Sequence, residues 1–212
     1  YLGEALDDPA AQDCGRCENC TGSSVVSKSV NHELAVEAAL FLKHADIPFR
    51  PRKQIPKGAL PSMGMDWNIP KEFQSEEGRI VSKWGDAGWG HIVADDKHKN
   101  HFRDELVKAM AEMIQDRWRP EPFPTWVACV PSNNHTELVP DFAKRLAAHM
   151  NLEFKNAVVK VDDNEAQKLQ ANSFHQCQNL DGVFEVQGQI PSGPVLLVDD
   201  MIDSGWTMTI IA

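Results

Sequence analysis

Val195-Leu196-Leu197-Val198-Asp199-Asp200-Met201-Ile202-Asp203-Ser204-Gly205-Trp206-Thr207 is the stretch that decides the fold. Four apolar residues in a row read as a buried strand. The strand delivers two adjacent acids, then a turn of small and hydroxyl residues, and then the opening of a helix. Such a turn aims backbone N–H groups at a helix N-terminus, where the dipole favours an anion. Ser204 and Thr207 add hydroxyl donors for a phosphate. Asp199 and Asp200 repel phosphate but suit the vicinal hydroxyls of a ribose, directly or through Mg²⁺. The parts together describe a cradle for ribose 5-phosphate. The plainer alternative is an ordinary strand–turn–helix with aspartate caps.

Upstream, the same half of the chain alternates strands and helices. Trp126-Val127-Ala128-Cys129-Val130 is a buried-strand run. Residues 136–150 read as a helix, with Leu138, Phe142, Leu146 and Met150 at four-residue intervals. Ala157-Val158-Val159-Lys160-Val161 and Val183–Val186 read as two more strands, with a polar stretch at 162–180 between them. Strands alternating with helices predict a parallel α/β sheet.

The segment at 195–207 resembles the PRPP-binding motif of type I phosphoribosyltransferases: apolar strand, acidic pair, then acid-Ser-Gly-x-Thr. Val130-Pro131-Ser132-Asn133-Asn134 follows a strand and precedes a helix, where that family has its pyrophosphate loop. Gln167-Lys168 and Gln178-Asn179-Leu180-Asp181-Gly182-Val183-Phe184 resemble the ComF-like branch. The resemblance covers residues 124–212. It implies that Asp199 and Asp200 hold the ribose hydroxyls and that Asp203 is the catalytic acid if the domain is active. Ser204, Gly205, Trp206 and Thr207 would form the PRPP-binding turn, and Ser132, Asn133 and Asn134 the pyrophosphate loop, with Mg²⁺ accompanying PRPP. Two departures stand out. No Lys or Arg lies in 131–135 to meet pyrophosphate, and Trp206 is bulky for its position.

Cys14-Gly15-Arg16-Cys17-Glu18-Asn19-Cys20 sets three thiols two residues apart, a spacing that suits Zn²⁺ and leaves one of four ligands to find. His32 is the nearby alternative. With Tyr1-Leu2-Gly3-Glu4 ahead of it, the cluster resembles the zinc-binding subdomain of RecQ-family DNA helicases. That resemblance implies a fourth cysteine upstream of Tyr1, and a winged-helix domain following the zinc module. The chain contains no G-x-x-x-x-G-K-[ST] loop for ATP, so the motor of such a parent is expected upstream. The first residue is Tyr1, and the last residues, Thr207–Ala212, hold only one turn of an apolar helix. A longer parent chain is the expectation.

Net charge is −10, which argues against a general nucleic-acid coat. The charge is uneven, because residues 24–60 carry six bases and three acids. Arg50, Arg52, Lys53 and Lys57 stand there among Pro48, Pro51, Pro56 and Pro61, and could neutralise a DNA backbone. A solvated charged face is the plainer reading. Asn31 predicts the cap of a helix over 32–45 with an apolar face of Leu34, Ala38, Phe41 and Ala45. Asn100 predicts the cap of a second helix over 101–117, striped by Phe102, Leu106, Met110 and Ile114. Residues 62–100 read as short helices or a hairpin. Trp84 and Trp89 could stack on bases, though interior packing is the commoner use of Trp. Asp95, Asp96, Lys97 and Lys99 read as a solvated loop. Cys129 reads as core, and Cys177 has no visible partner. No apolar run approaches the ~18 residues a membrane helix needs, so no membrane partner is expected.

The expected fold class is α/β: a small zinc-binding and helical N-terminal part, then a type I phosphoribosyltransferase-like parallel-sheet domain. The expected divisions are 1–23 for the end of the zinc module, 24–123 for a mostly helical, DNA-contacting connection of winged-helix type, and 124–212 for a C-terminally incomplete α/β domain. By resemblance the parent is an ATP-dependent DNA helicase of DNA repair, cytoplasmic and nucleoid-associated. The chain would be its accessory region, holding Zn²⁺, DNA, the helicase core and a phosphorylated ribose. The second reading is a working phosphoribosyltransferase that moves ribose 5-phosphate from PRPP to a nitrogen nucleophile.

Overall fold

The structure, a computed structural model, describes residues 2–24, 29–65 and 67–212. Tyr1 and most of the linker expected at 24–29 lie outside the described residues, as does the side chain of Lys168. The chain divides into two compact units, residues 1–39 and 40–212.

The first unit holds two one-turn helices, α1 (Leu2–Ala5) and α2 (Glu18–Thr21), and most of α3 (His32–Lys43). Asn31 Oδ1 accepts the N–H of Leu34 at 3.2 Å, so the expected cap is present. The expected apolar face is not buried: Leu34 is 63% exposed and Phe41, beyond the division, 74%.

The second unit starts with short pieces, because the prolines at 48, 51, 56 and 61 prevent long helices. β1 (Ile47–Phe49), β2 (Gln54–Ile55), β3 (Trp67–Asn68) and β4 (Gly78–Ile80) make two antiparallel ribbons, β1 with β4 and β2 with β3. Two helices follow, α4 (Gly90–His98) and α5 (Asp104–Glu112), the latter widening into a π-helical end at Met113–Trp118. Asn100 does not cap α5. It sits in the left-handed region (φ 55°) just past the end of α4, a conformation Asn tolerates, and Arg103 takes the N-cap position instead. Of the expected stripe, Leu106 on α5, Phe102 before it and Ile114 after it are buried, and Met110 packs half-buried on the same core.

The α/β layer comprises β5 (Trp126–Cys129), α6 (Leu138–His149), β6 (Glu153–Phe154), β7 (Val158–Lys160), α7 (Ser173–Gln178), β8 (Phe184–Val186), β9 (Val195–Val198) and α8 (Trp206–Ile211). Pro140 is tolerated in α6 because it lies in the first turn, where its missing N–H has no intrahelical partner. β6, β5 and β9 form a three-stranded parallel sheet in that order. Its residues alternate as the pleat demands. Val127, Cys129, Leu196 and Val198 face a core built with α5 and α6, while Trp126, Ala128 and Leu197 face a smaller cluster with Ala157. Gly193 leads into β9 at φ +96°, where a Cβ would come within 2.6 Å of Thr125 Oγ1, so only glycine fits.

Three expectations are corrected. The strands at 157–161 and 183–186 do not join the parallel sheet. They pair antiparallel with each other, Val158 opposite Val186, as a separate ribbon. The polar stretch at 162–180 contains α7, and Cys177 is fully buried with Leu180, Ile55, Leu60 and Trp206. Finally, no division falls at 123/124. Phe102, Leu106 and Ile114 from before it share one core with Val127, Leu138 and Leu196 from after it.

Candidate functional site

β5 and β9 are adjacent, parallel and level. Cys129 lies opposite Val198, and the N–H of Val130 continues the ladder to the carbonyl of Val198 at 2.9 Å. The loops after them, 130–137 and 199–205, therefore leave the sheet at the same end. After β5 the chain crosses through α6 to β6 on one side, while β9 lies on the other. The sheet order thus reverses between these two loops, the place where open α/β sheets form a ligand crevice at the carboxyl ends of their strands.

Asp199 and Asp200 stand at the end of β9. The N–H of Asp200 donates to Asp199 Oδ1 at 2.8 Å. Lys97 of α4 reaches the pair, its Nζ 2.8 Å from Asp200 Oδ2, with the two side chains only 19% and 13% exposed. Burial, and then the neighbouring charge of Asp200, push the Asp199 carboxyl up to about 7. Lys97, expected on a solvated loop, lies on a helix instead. The available signal was helical spacing: it lies four residues after Val93, which packs on the core, and so shares its face.

Lys97 is held by its neighbourhood. Asp96 beside it is buried, and both its carboxylate oxygens accept from Arg103 Nε, at 3.0 and 2.8 Å. The Arg103 N–H adds a third bond at 2.9 Å. Burial raises the Asp96 carboxyl, but its bonds and charge pairing with Arg103 outweigh this and lower it.

The turn at 203–207 is braced from the proline-rich segment. Gly205 is left-handed (φ 80°), and a Cβ on it would lie 2.8 Å from the Phe49 ring, so the aromatic face and the turn approach as closely as glycine permits. Arg52 Nε donates to the carbonyl of Ser204 at 3.0 Å, and the Arg52 N–H donates to Thr209 Oγ1 at 3.2 Å. Its guanidinium lies 4.6 Å from the Trp206 ring centroid. Trp206 itself is 1% exposed, with Nε1 donating to Ser173 Oγ at 3.1 Å. Two assignments change accordingly. The Trp206 ring is core, not ligand surface, because the ring is enclosed while its N–H is satisfied by the Ser173 hydroxyl. Arg52 is committed to the turn and is not a free cation for DNA. Asp203 is exposed, Ser204 and Thr207 half-buried.

In the facing loop, Ser132 Oγ accepts the N–H of His135 at 3.2 Å, Asn133 Nδ2 donates to Asp163 Oδ1 at 3.4 Å, and Asn134 is exposed. His135 Nδ1 pairs with Asn100 Oδ1 at 2.9 Å. A cavity of about 320 Å³ adjoins the acidic pair, walled by Asp199, Asp200, Ile47, Ile80, Trp84 and Leu106 among others. Trp84 is 56% exposed, whereas Trp89 is half-buried with Nε1 donating to the Lys43 carbonyl. Of the remaining basic candidates, Arg50 pairs with Glu77 at 3.0 Å, and Lys53 and Lys57 are exposed.

In the first unit the ligand atoms of Cys14, Cys17 and Cys20 lie within 4.8 Å of one another, close enough to hold a metal ion. Cys14 and Cys20 Sγ are 3.7 Å apart, against about 3.8 Å for two thiolates tetrahedral about Zn²⁺. The N–H groups of Arg16 and Cys17 point at Cys14 Sγ and lower its thiol to about 7. At Cys20 the hydrogen bond it shares with the Cys17 sulfur dominates, favours the protonated thiol and raises it to about 11. This donor set fits a thiophilic cation such as zinc. Among the described residues no helix is long and apolar enough to cross a membrane.

No family model, curated protein or solved structure matches the chain.

Proposed function

We propose that the second unit is a phosphoribosyltransferase-like domain that binds a phosphorylated pentose, and that the chain is the C-terminal accessory region of a RecQ-like ATP-dependent DNA helicase. One observation carries the first part. The Asp-Asp pair and the Asp-Ser-Gly-x-Thr turn leave the carboxyl end of a parallel strand, at the point where the sheet order reverses. Asp199 and Asp200 would take the ribose hydroxyls, and Ser204, Gly205 and Thr207 the 5-phosphate. Calorimetry of PRPP with Mg²⁺, beside an Asp199→Asn/Asp200→Asn control, tests it. Binding lost in the control supports the reading. Absence of binding by the unaltered chain, to PRPP and to ribose 5-phosphate alike, sinks it.

The helicase part rests on the thiol cluster. Cys14, Cys17 and Cys20 would hold zinc with the fourth ligand that the resemblance expects upstream, supplying a fixed tetrahedral anchor and no chemistry. Metal analysis finding no zinc in a chain extended upstream would end it. DNA contact would fall to Lys53 and Lys57, with Arg50 competing for Glu77. Their charge removal should flatten the salt dependence of DNA binding.

The transferase reading is favoured by the cavity beside the acidic pair, which has room and apolar walls for a planar acceptor. Pyrophosphate release on mixing PRPP, Mg²⁺ and a panel of bases tests it. Silence across the panel with PRPP bound leaves a binding domain.

A further inference from the structure

Mg²⁺ does not fit the acidic pair as the fold sets it. A hard dication seeks close to six oxygens at short range. Here Asp200 Oδ2 faces the ammonium of Lys97 at 2.8 Å, and Asp199 Oδ1 faces the N–H of Asp200 at 2.8 Å. A metal seated on the pair would stand against a fixed positive charge. That charge is not a passing surface contact. Both side chains are mostly buried, and α4 is pinned one residue away by the Asp96–Arg103 pair. The loop across the crevice, 131–135, has no Lys or Arg to receive a pyrophosphate either.

We propose that Lys97 takes the place of the divalent cation at the acidic pair, so that the site recognises a pentose 5-phosphate monoester without metal. The proposal rests on the phosphorylated-pentose reading above and narrows its ligand. Lys97 is a positioning residue. It neutralises one of two adjacent carboxylates and fixes the orientation of Asp200. Each carboxylate keeps a second oxygen that can accept from one of two vicinal hydroxyls. The monoester goes to the turn at 203–207, and nothing in the loop at 131–135 rewards a diphosphate.

The test is calorimetry of the whole chain with ribose 5-phosphate as probe, once in chelator and once in Mg²⁺, with PRPP in parallel. The unaltered protein should bind ribose 5-phosphate with affinities that agree within about twofold in the two conditions, a difference of less than 1 kcal/mol. Lys97→Met should lose about tenfold in chelator, as expected when one member of a desolvated charge pair is removed, and regain affinity in Mg²⁺. Lys97→Arg should keep metal independence. A merely structural lysine would not create a Mg²⁺ requirement, and circular dichroism checks that Lys97→Met is folded. If ribose 5-phosphate binds only with Mg²⁺, or if folded Lys97→Met binds as the unaltered chain does, the proposal is overturned. PRPP bound only with Mg²⁺ while ribose 5-phosphate fails also overturns it but leaves the phosphoribosyl reading standing. Neither probe binding under either condition removes both.

Discussion

Arg52 Nε donates to the carbonyl oxygen of Ser204 across 3.0 Å, and the same guanidinium lies 4.6 Å from the centre of the Trp206 ring. The basic, proline-rich segment is thereby a brace for the turn at 203–207. Arg52→Ala removes one charge-assisted hydrogen bond and one half-buried cation–π contact, about 2 kcal/mol together. Thermal unfolding should show that loss, and binding of a phosphorylated pentose should weaken with it. The salt dependence of any DNA binding should stay as it was, because this cation is already spent.

Trp206 should matter more for stability than for ligand. Trp206→Ala opens a hole among Ile55, Leu60, Cys177 and Leu180 and should cost about 3–5 kcal/mol. Trp206→Phe keeps most of the packing and gives up the bond to Ser173 Oγ, for about 1–2 kcal/mol. Denaturant unfolding of the two variants separates the terms. A ligand-facing indole would instead leave stability unchanged and shift affinity.

These two residues also mark how far the sequence could be read. Long periodic runs were legible: Leu138, Phe142 and Leu146 on α6 and Met150 at its C-cap are all buried, and Val195–Val198 is a strand of the parallel sheet. Short-range chemistry was legible too, as in the cap at Asn31 and the thiol spacing. Relationships set by tertiary packing were not. Trp206 sits in a motif that suggests ligand contact, yet its surroundings come from residues 55–69 and 173–180. Arg52 carries the composition of a surface patch, yet its partner lies 152 positions away. The strands at 158–160 and 184–186 have no sequence feature that distinguishes a hairpin partner from a member of the parallel sheet.

Asp96 and Arg103 should form an acid-sensitive latch. The folded protein holds the Asp96 proton more weakly than the unfolded chain, so the pair's contribution is present above the ordinary aspartate range and is lost as pH falls through the lowered folded value. Asp96→Ala leaves the Arg103 N–H without its acceptor and the guanidinium with Asp95 Oδ2, at 3.2 Å, as its remaining partner, and should lower the melting temperature at neutral pH. The difference between this variant and the unaltered chain should shrink in acid, which pH-resolved thermal melts would record.

The thiol cluster should bind metal with release of protons. Cys14, near 7, is partly thiolate at neutral pH, whereas Cys20, near 11, must give up its proton to the ion. Metal affinity should therefore fall steeply from about pH 8 to about pH 6. Co²⁺ substitution reports this through thiolate charge-transfer absorption. Cys14→Ser or Cys20→Ser should abolish the band, and Cys129→Ser, in a buried strand, should leave it intact.

Asp199 provides the opposite pH signature from Asp96. Burial first and Asp200 second raise its carboxyl from 3.8 to about 7, so the folded chain binds this proton more tightly than the unfolded one. Between those two values stability falls as pH rises, and the full cost stands above about 7. Asp199→Asn keeps an oxygen to accept the Asp200 N–H and removes the charge. It should stabilise the protein by about 1–3 kcal/mol at pH 8, and by much less near pH 4, where the native carboxyl is already neutral. The same variant should bind a phosphorylated pentose more weakly at pH 8, since an amide oxygen is a poorer acceptor for a hydroxyl than a carboxylate. A variant more stable yet weaker in binding would identify Asp199 as a site kept charged at the expense of the fold. Melting curves and calorimetry at the two pH values decide it, and a variant less stable at pH 8 would overturn the assignment.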